Sequence, residues 1–344
     1  MLTAPEHLDD DALHELLERA GKGSAVARFR DGPGGGNNRV FLVETGADRY
    51  IAKWYFSHPA DTRDRLHAEY AFLQYAQALG RTDVPTPLAI LPERRLALYE
   101  YISGEKLAVE DIRATHVDQA ASFLCALNGP ERLIRGSALP SASEARFSIA
   151  GQIEAVDGRV ARLADVSDAT PEDRDARDVV ANLRRLMDTF ASTIAKTAVD
   201  LGLDPEAELS PSSRCVSPSD FGFHNALQRP DGTLCFLDFE YAGWDDPAKM
   251  ICDFFWQPAV PVPRTYFDGF LRQCVAYADD ADRLMSRARL LMPLFGVKWV
   301  CIVLNEFLPA AAQRRRFANA GKDPQARKRA QIAKARRLID SLNN

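Results

Sequence analysis

The 344-residue sequence has no C-x-x-C pair, no internal repeat, no excess of basic charge and no long uninterrupted apolar run. Its six cysteines, Cys125, Cys215, Cys235, Cys252, Cys274 and Cys301, stand singly among apolar neighbours. That pattern argues against a zinc or disulfide framework and fits reduced core thiols. A net charge of −5 supplies no global basic field, so general nucleic-acid affinity is not expected. The amino terminus is acidic and lacks a signal-peptide core, while the greasiest run, 292–304, is short and carries Lys298. The expectation is a cytoplasmic protein without membrane insertion, and the sequence sets no oligomeric state.

What is present is enough chain for two units and a clear shift in pattern along it. An amphipathic helix is expected over 8–19, with Gly21 placed to end it. Strand-like segments follow at 25–30, 39–45 and 49–55, separated by D-G-P-G-G-G-N-N and E-T-G-A-D, a glycine-rich loop and a tight turn. Helical periodicity over 61–79 stops at V-P-T-P, and strands near 88–91 and 96–101 complete a small antiparallel sheet. From Ala108 onward helices dominate, at 112–127, 147–163, 174–201, 266–278 and 283–307. The pattern predicts an α+β protein with a smaller first lobe, 1–102, and a larger helical second lobe, 103–344. The polar stretch 164–178, which contains Pro171, reads as a loop, and the proline-rich stretch 257–264 as a rigid connector.

The chemistry is concentrated in S-D-F-G-F-H-N-A-L and L-C-F-L-D-F-E, which place Asp220, Asn225 and Asp238 in order. One carboxylate can orient an acceptor hydroxyl and take its proton. An amide oxygen and a second carboxylate suit Mg²⁺ held against nucleotide phosphates. Upstream, Gly34, Gly35, Gly36, Asn37 and Asn38 form a loop whose backbone N–H groups can approach phosphates, although an ordinary flexible hairpin would look the same. Lys53, in Y-I-A-K-W-Y, shares a strand face with Ile51 and Tyr55, and Glu69 points from the apolar side of the next helix. As an ion pair they would aim an ammonium at nucleotide phosphates; the alternative for Lys53 is an edge lysine reaching solvent. Glu100, Tyr101 and Ile102 enter a glycine-containing link, where backbone groups could meet an adenine or simply connect the lobes.

The ordered set G-G-G-N-N, Lys53, Glu69, L-Y-E-Y, Asp220-x-x-x-x-Asn225, F-L-D-F-E and W-D-D-P resembles the aminoglycoside phosphotransferase and choline kinase-like family. The resemblance covers most of the chain, from the glycine loop to beyond Asp253. It implies a bilobal protein-kinase-like fold, ATP (with GTP as the other candidate) and Mg²⁺ as cofactors, and a small-molecule hydroxyl as acceptor. It further implies Asp220 as the catalytic aspartate, Asn225 and Asp238 as metal ligands, and Lys53 as the phosphate-contacting lysine.

Two departures stand out. Pro218 and Ser219 replace the His-Gly that precedes the catalytic aspartate in the family, and no A-P-E segment follows D-F-E, which argues for a small acceptor. Asp246 before Pro247 reads as a helix cap, and Trp244, Asp245, Phe254, Phe255 and Trp256 as an acceptor-facing or core aromatic group. Without a dense acidic run, a sugar or polyol is favoured as acceptor over an amino alcohol or aminoglycoside. A nucleotide-binding pseudokinase regulator is the reading from a different class. The basic tail, Arg314, Arg315, Arg316, Lys322, Arg327, Lys328, Arg329, Lys334, Arg336 and Arg337, reads as a solvated helix face docked through Ile332, Leu338 and Ile339.

Overall fold

The computed structural model describes residues 10–23, 27–32, 38–46, 48–57, 61, 63–309 and 323–343. The chain forms two compact units: one from the residues up to Glu105 with Leu227–Glu240, the other from Lys106–Ala226 with the described residues of Tyr241–Ala312 and Gly321–Asn344. The architecture is α+β, a small antiparallel sheet followed by a mostly helical remainder, as expected.

In the first unit, α1 (Asp10–Arg19) precedes β1 (Ala27–Asp31), β2 (Arg39–Thr45) and β3 (Asp48–Trp54), followed by α2 (Arg65–Ala78), β4 (Pro87–Leu91) and β5 (Leu96–Glu100). The five strands form one antiparallel sheet in the order β1-β2-β3-β5-β4. Strand alternation divides its faces. Tyr50, Ala52 and Trp54 of β3 cluster with Leu13, Leu16 and Leu17 of α1, which leaves Lys53 and Tyr55 for the opposite face and α2. Asp64 caps α2 by accepting from the His67 N–H at 3.2 Å. The segment Leu227–Glu240 returns to this unit through side-chain and backbone contacts far apart in sequence. The Phe236 N–H donates to the Asp83 carbonyl at 2.8 Å, and Phe239 stacks on Phe72 of α2 with ring centroids 4.6 Å apart. The lobe ranges read from the sequence did not include this return.

The second unit contains α3 (Ala114–Leu127), α4 (Arg132–Arg135), α5 (Ile149–Arg162), α6 (Pro171–Asp200), α7 (Pro247–Trp256), α8 (Phe267–Cys274), α9 (Ala281–Leu304) and α10 (Pro324–Leu342). Helix α9 is the core element, packed against α5, α6, α7, α8 and α10. It lies within Ala281–Phe307, which is long and apolar enough to cross a membrane, yet 67% of its most apolar stretch is buried inside the protein. Helix α6 begins inside the segment expected to be a loop. Thr170 accepts from the Asp173 N–H while Asp173 accepts from the Thr170 N–H, and Pro171 occupies the first turn, where a missing N–H costs nothing. The six cysteines are free, and all but Cys125 are buried.

The basic helix α10 buries Ile332, Ala335 and Ile339 and meets the acidic start of α6. Lys328 pairs with Asp173 at 2.6 Å and Arg329 with Glu172 at 2.9 Å, so these charges are spent inside the fold. Arg314, Arg315, Arg316 and Lys322 lie outside the described residues.

A two-stranded ladder, Cys215–Ser217 against Gly243–Asp245, sets the entry to α7. Its Trp244 N–H donates to the Pro140 carbonyl at 2.8 Å, and a Cβ on Gly243 would stand 2.2 Å from that same oxygen. Gly243→Ala is therefore expected to destabilise the protein by about 3 kcal/mol, read as a lowered urea midpoint with an unchanged slope.

Candidate active site

Within the first unit the side chains of Lys53, Glu69, Asp238, Asn38 and Glu240 converge. Strand β3 sends Lys53 off the face opposite α1, and α2 presents Glu69, whose Oε2 accepts from Lys53 Nζ at 2.7 Å. The Tyr55 hydroxyl, two residues along the same face, donates to Glu69 at 2.7 Å and meets the Tyr99 hydroxyl at 2.6 Å. The Phe239 N–H donates to the other Glu69 oxygen at 3.3 Å, so both carboxylate oxygens are engaged. Lys53 also pairs with Asp238, which sits in the left-handed region at φ 67 and keeps about a third of its side chain exposed. Burial alone would depress the Lys53 ammonium, but Asp238, Glu69 and Glu240 outweigh it and hold its pKa well above the ordinary value. Burial and the Glu69 charge push the Tyr55 phenol well up, which keeps it a donor.

Asn38 is tied into this cluster. Its Oδ1 accepts from the Phe56 N–H at 3.1 Å and its Nδ2 donates to Glu240. Glu240 is 3% exposed and lies 3.7 Å from the buried Arg65 guanidinium. Gly34, Gly35, Gly36 and Asn37 lie outside the described residues. At the end of β5, the Glu100 carboxylate accepts from the Thr86 N–H and hydroxyl, and the Glu100 N–H donates to the Thr86 carbonyl at 3.0 Å. That backbone donor is thus committed to the fold. Tyr101 carries the Arg49 guanidinium 4.3 Å over its ring, and Ile102 is buried.

Within the second unit, the loop after Cys215–Ser217 carries Asp220 and Asn225. Asn225 Nδ2 donates to the Asp220 carbonyl at 3.0 Å, which fixes the amide and leaves its Oδ1 as the acceptor end. His224 Nε2 lies 3.3 Å from Asp220 Oδ1. Phe221 and Phe223 anchor the loop by packing on Phe254 of α7. Ser219, at φ 67, accepts from Lys249 Nζ at 3.3 Å, and Lys249 pairs with Asp245 at 2.5 Å. Burial alone would depress the Lys249 ammonium, but Asp245 and Asp253 together outweigh it and raise its pKa. Lys249 was not singled out from sequence. Its signal is a lone cation in the first turn of an apolar helix, four residues after an acid.

The candidate acceptor group is absorbed by the fold. Phe254 stacks on Phe270 with centroids 4.7 Å apart, and Phe255 packs edge-on against Phe267 and Phe270. Trp256 Nε1 donates to the Met292 carbonyl at 2.7 Å and Trp244 Nε1 to the Gly136 carbonyl at 2.9 Å. Asp246 caps α7 through the Ala248 N–H at 2.8 Å and pairs with Arg287 at 2.7 Å, a scaffolding position.

The sequence profile of the phosphotransferase enzyme family matches residues 29–291. The chain is similar in fold to a choline/ethanolamine kinase family protein from Mesorhizobium loti, with a TM-score of 0.58 and 17% identity over 96% of this chain and 94% of that one. A spectinomycin phosphotransferase solved with ADP and spectinomycin gives 0.59 at 12% identity, covering 94% and 98%. Choline kinase from Cryptosporidium parvum Iowa II gives 0.54 at 16%, covering 92% and 90%. At these identities the likeness speaks for the fold. No curated protein matches by sequence.

Lys53 pairs with both Glu69 and Asp238, so Lys53→Met removes the buried cation that the two carboxylates share. The expected loss is about 3–5 kcal/mol in urea unfolding at neutral pH. Because the folded pKa of Lys53 is raised, its contribution is fully present below about pH 10 and fades only as the pH climbs through the folded value. The wild-type-minus-variant difference should therefore stay flat from neutral to mildly alkaline pH.

Proposed function

The chain belongs to the phosphotransferase enzyme family and is a small-molecule kinase acting on a hydroxyl group; from that premise we propose that it transfers the γ-phosphoryl group of ATP to a sugar or polyol. The observation that carries the nucleotide half of this reading is the buried Lys53, held by Glu69 and reaching Asp238. A lysine so placed meets phosphate oxygens as a point charge, and Glu69 with Tyr55 keeps the ammonium from swinging away when a ligand takes over Asp238.

The residues present fit Mg²⁺. Asp238 offers a partly exposed carboxylate and Asn225 an amide oxygen whose partner nitrogen is already bonded to the Asp220 carbonyl. In this reading Asn225 and Asp238 hold the ion, which neutralises charge on the phosphates. Asp220 accepts the hydrogen bond of the acceptor hydroxyl, orients its oxygen for in-line attack and takes the proton as the new bond to the γ-phosphorus forms and the bond to the β–γ bridging oxygen breaks, releasing ADP.

The choice of a neutral acceptor rests on charge accounting in the second unit. Asp245, Asp246, Asp253 and Glu144 are each met by an internal cation: Lys249, Arg287, Lys298 and Arg159. A polycationic acceptor would have to compete with those pairs, three of them buried, and the rings that might cage a quaternary ammonium are committed to core packing. Hydroxyl groups need neither.

The test is Mg²⁺-dependent ADP release with separate pools of sugars and polyols, amino alcohols and aminoglycosides. The sugar and polyol pool should give the largest stimulation, and Asp220→Asn should reduce it by about 10²–10⁴-fold with nucleotide affinity little changed. Stimulation confined to another pool would move the acceptor class. Tight ATP binding without turnover in any pool would favour the regulator.

A further inference from the structure

The residue that precedes Asp220 is held in an unfavourable backbone conformation by a lysine that has almost no contact with solvent. Ser219 sits at φ 67, the left-handed region that a side chain with Cβ avoids and a glycine adopts freely. The family pattern stated above has glycine at this position, so what serine adds is its hydroxyl. That hydroxyl accepts from Lys249 Nζ at 3.3 Å, while the Ser219 N–H donates to the Ser217 hydroxyl at 3.0 Å. Lys249 is 2% exposed and its ammonium is fixed at 2.5 Å on Asp245, itself fully buried. Asp245 faces Cys215 in the same short ladder whose other strand runs into the loop. A strand, the first turn of α7 and the catalytic loop are therefore joined through one ammonium.

We infer that Lys249 is a positioning residue: anchored by Asp245, it grips the Ser219 hydroxyl and thereby fixes the direction in which the Asp220 carboxylate is presented. The inference rests on the reading of Asp220 as the catalytic carboxylate. A buried ion pair is often replaceable by apolar side chains without loss of stability, and a glycine at 219 would relieve the backbone. Stability alone accounts for neither side chain, whereas a fixed loop does. With Pro218 setting φ on one side and the Asn225 amide bonded to the Asp220 carbonyl on the other, the Lys249 contact closes a brace around the peptide that leads into Asp220.

Ser219→Gly is the decisive variant because it keeps the backbone conformation available while deleting the grip; Lys249→Met accompanies it. Peptide-level hydrogen exchange over 215–225 needs no acceptor. Exchange there should rise about tenfold or more in Ser219→Gly, with the thermal midpoint no lower than wild type. Turnover measured with the stimulating pool should fall about tenfold or more in kcat while KM for ATP stays within about twofold, the signature of lost positioning. Lys249→Met, where folded, should match it. A folded Ser219→Gly protein with unchanged loop exchange, or with kcat within about twofold of wild type, would overturn the brace. Wild-type protein without turnover would overturn the kinase reading instead, and the exchange comparison then decides the brace by itself.

Discussion

One buried ammonium organises the first unit. Lys53 lies on an almost inaccessible strand face, and a cation there is tolerable only if anions surround it. That requirement explains three otherwise separate features: the carboxylate on the inner face of α2, the tyrosine hydroxyls behind it, and the return of Leu227–Glu240 to place Asp238 beside the same nitrogen. The Phe239 ring on Phe72 and the Phe239 N–H on Glu69 fix that return, so the peptide next to Asp238 is as well determined as the sheet. Asp238 itself remains partly exposed and in a left-handed conformation.

The second unit solves a related problem in another way. Its loop with Asp220 and Asn225 has phenylalanines on α7 beneath it, and the neighbouring acids are neutralised by lysines and arginines of the same unit. Buried pairs of this kind add little net stability, but they fix geometry, because removing either partner leaves an uncompensated charge. In the function proposed above, this internal neutrality is what disfavours a polycationic acceptor.

Much of this was legible in the sequence. Alternation in Y-I-A-K-W-Y put Lys53 on the side of Tyr55, helical spacing put Glu69 on an apolar face, and the structure joins them; the α+β order followed from where strand-like runs give way to helical ones. Long-range contacts were not legible. Nothing local in L-C-F-L-D-F-E says that Phe236 bonds to Asp83, whereas Thr170-Pro171 with Asp173 carries the same cap-then-proline signal read at Asp246-Pro247 and was masked by the polar composition around it. The aromatic run D-F-F-W carries the composition of a binding surface and the packing of a core, and only burial separates the two.

We propose that Asp238, paired with Lys53, becomes a ligand of the nucleotide's Mg²⁺. Calorimetric titration of ATP with and without Mg²⁺, on wild type and on Asp238→Asn, tests it most directly. The account expects Mg²⁺ to tighten ATP binding by about tenfold or more in the wild type and to have little effect in the variant. An equal Mg²⁺ dependence in both proteins would contradict it.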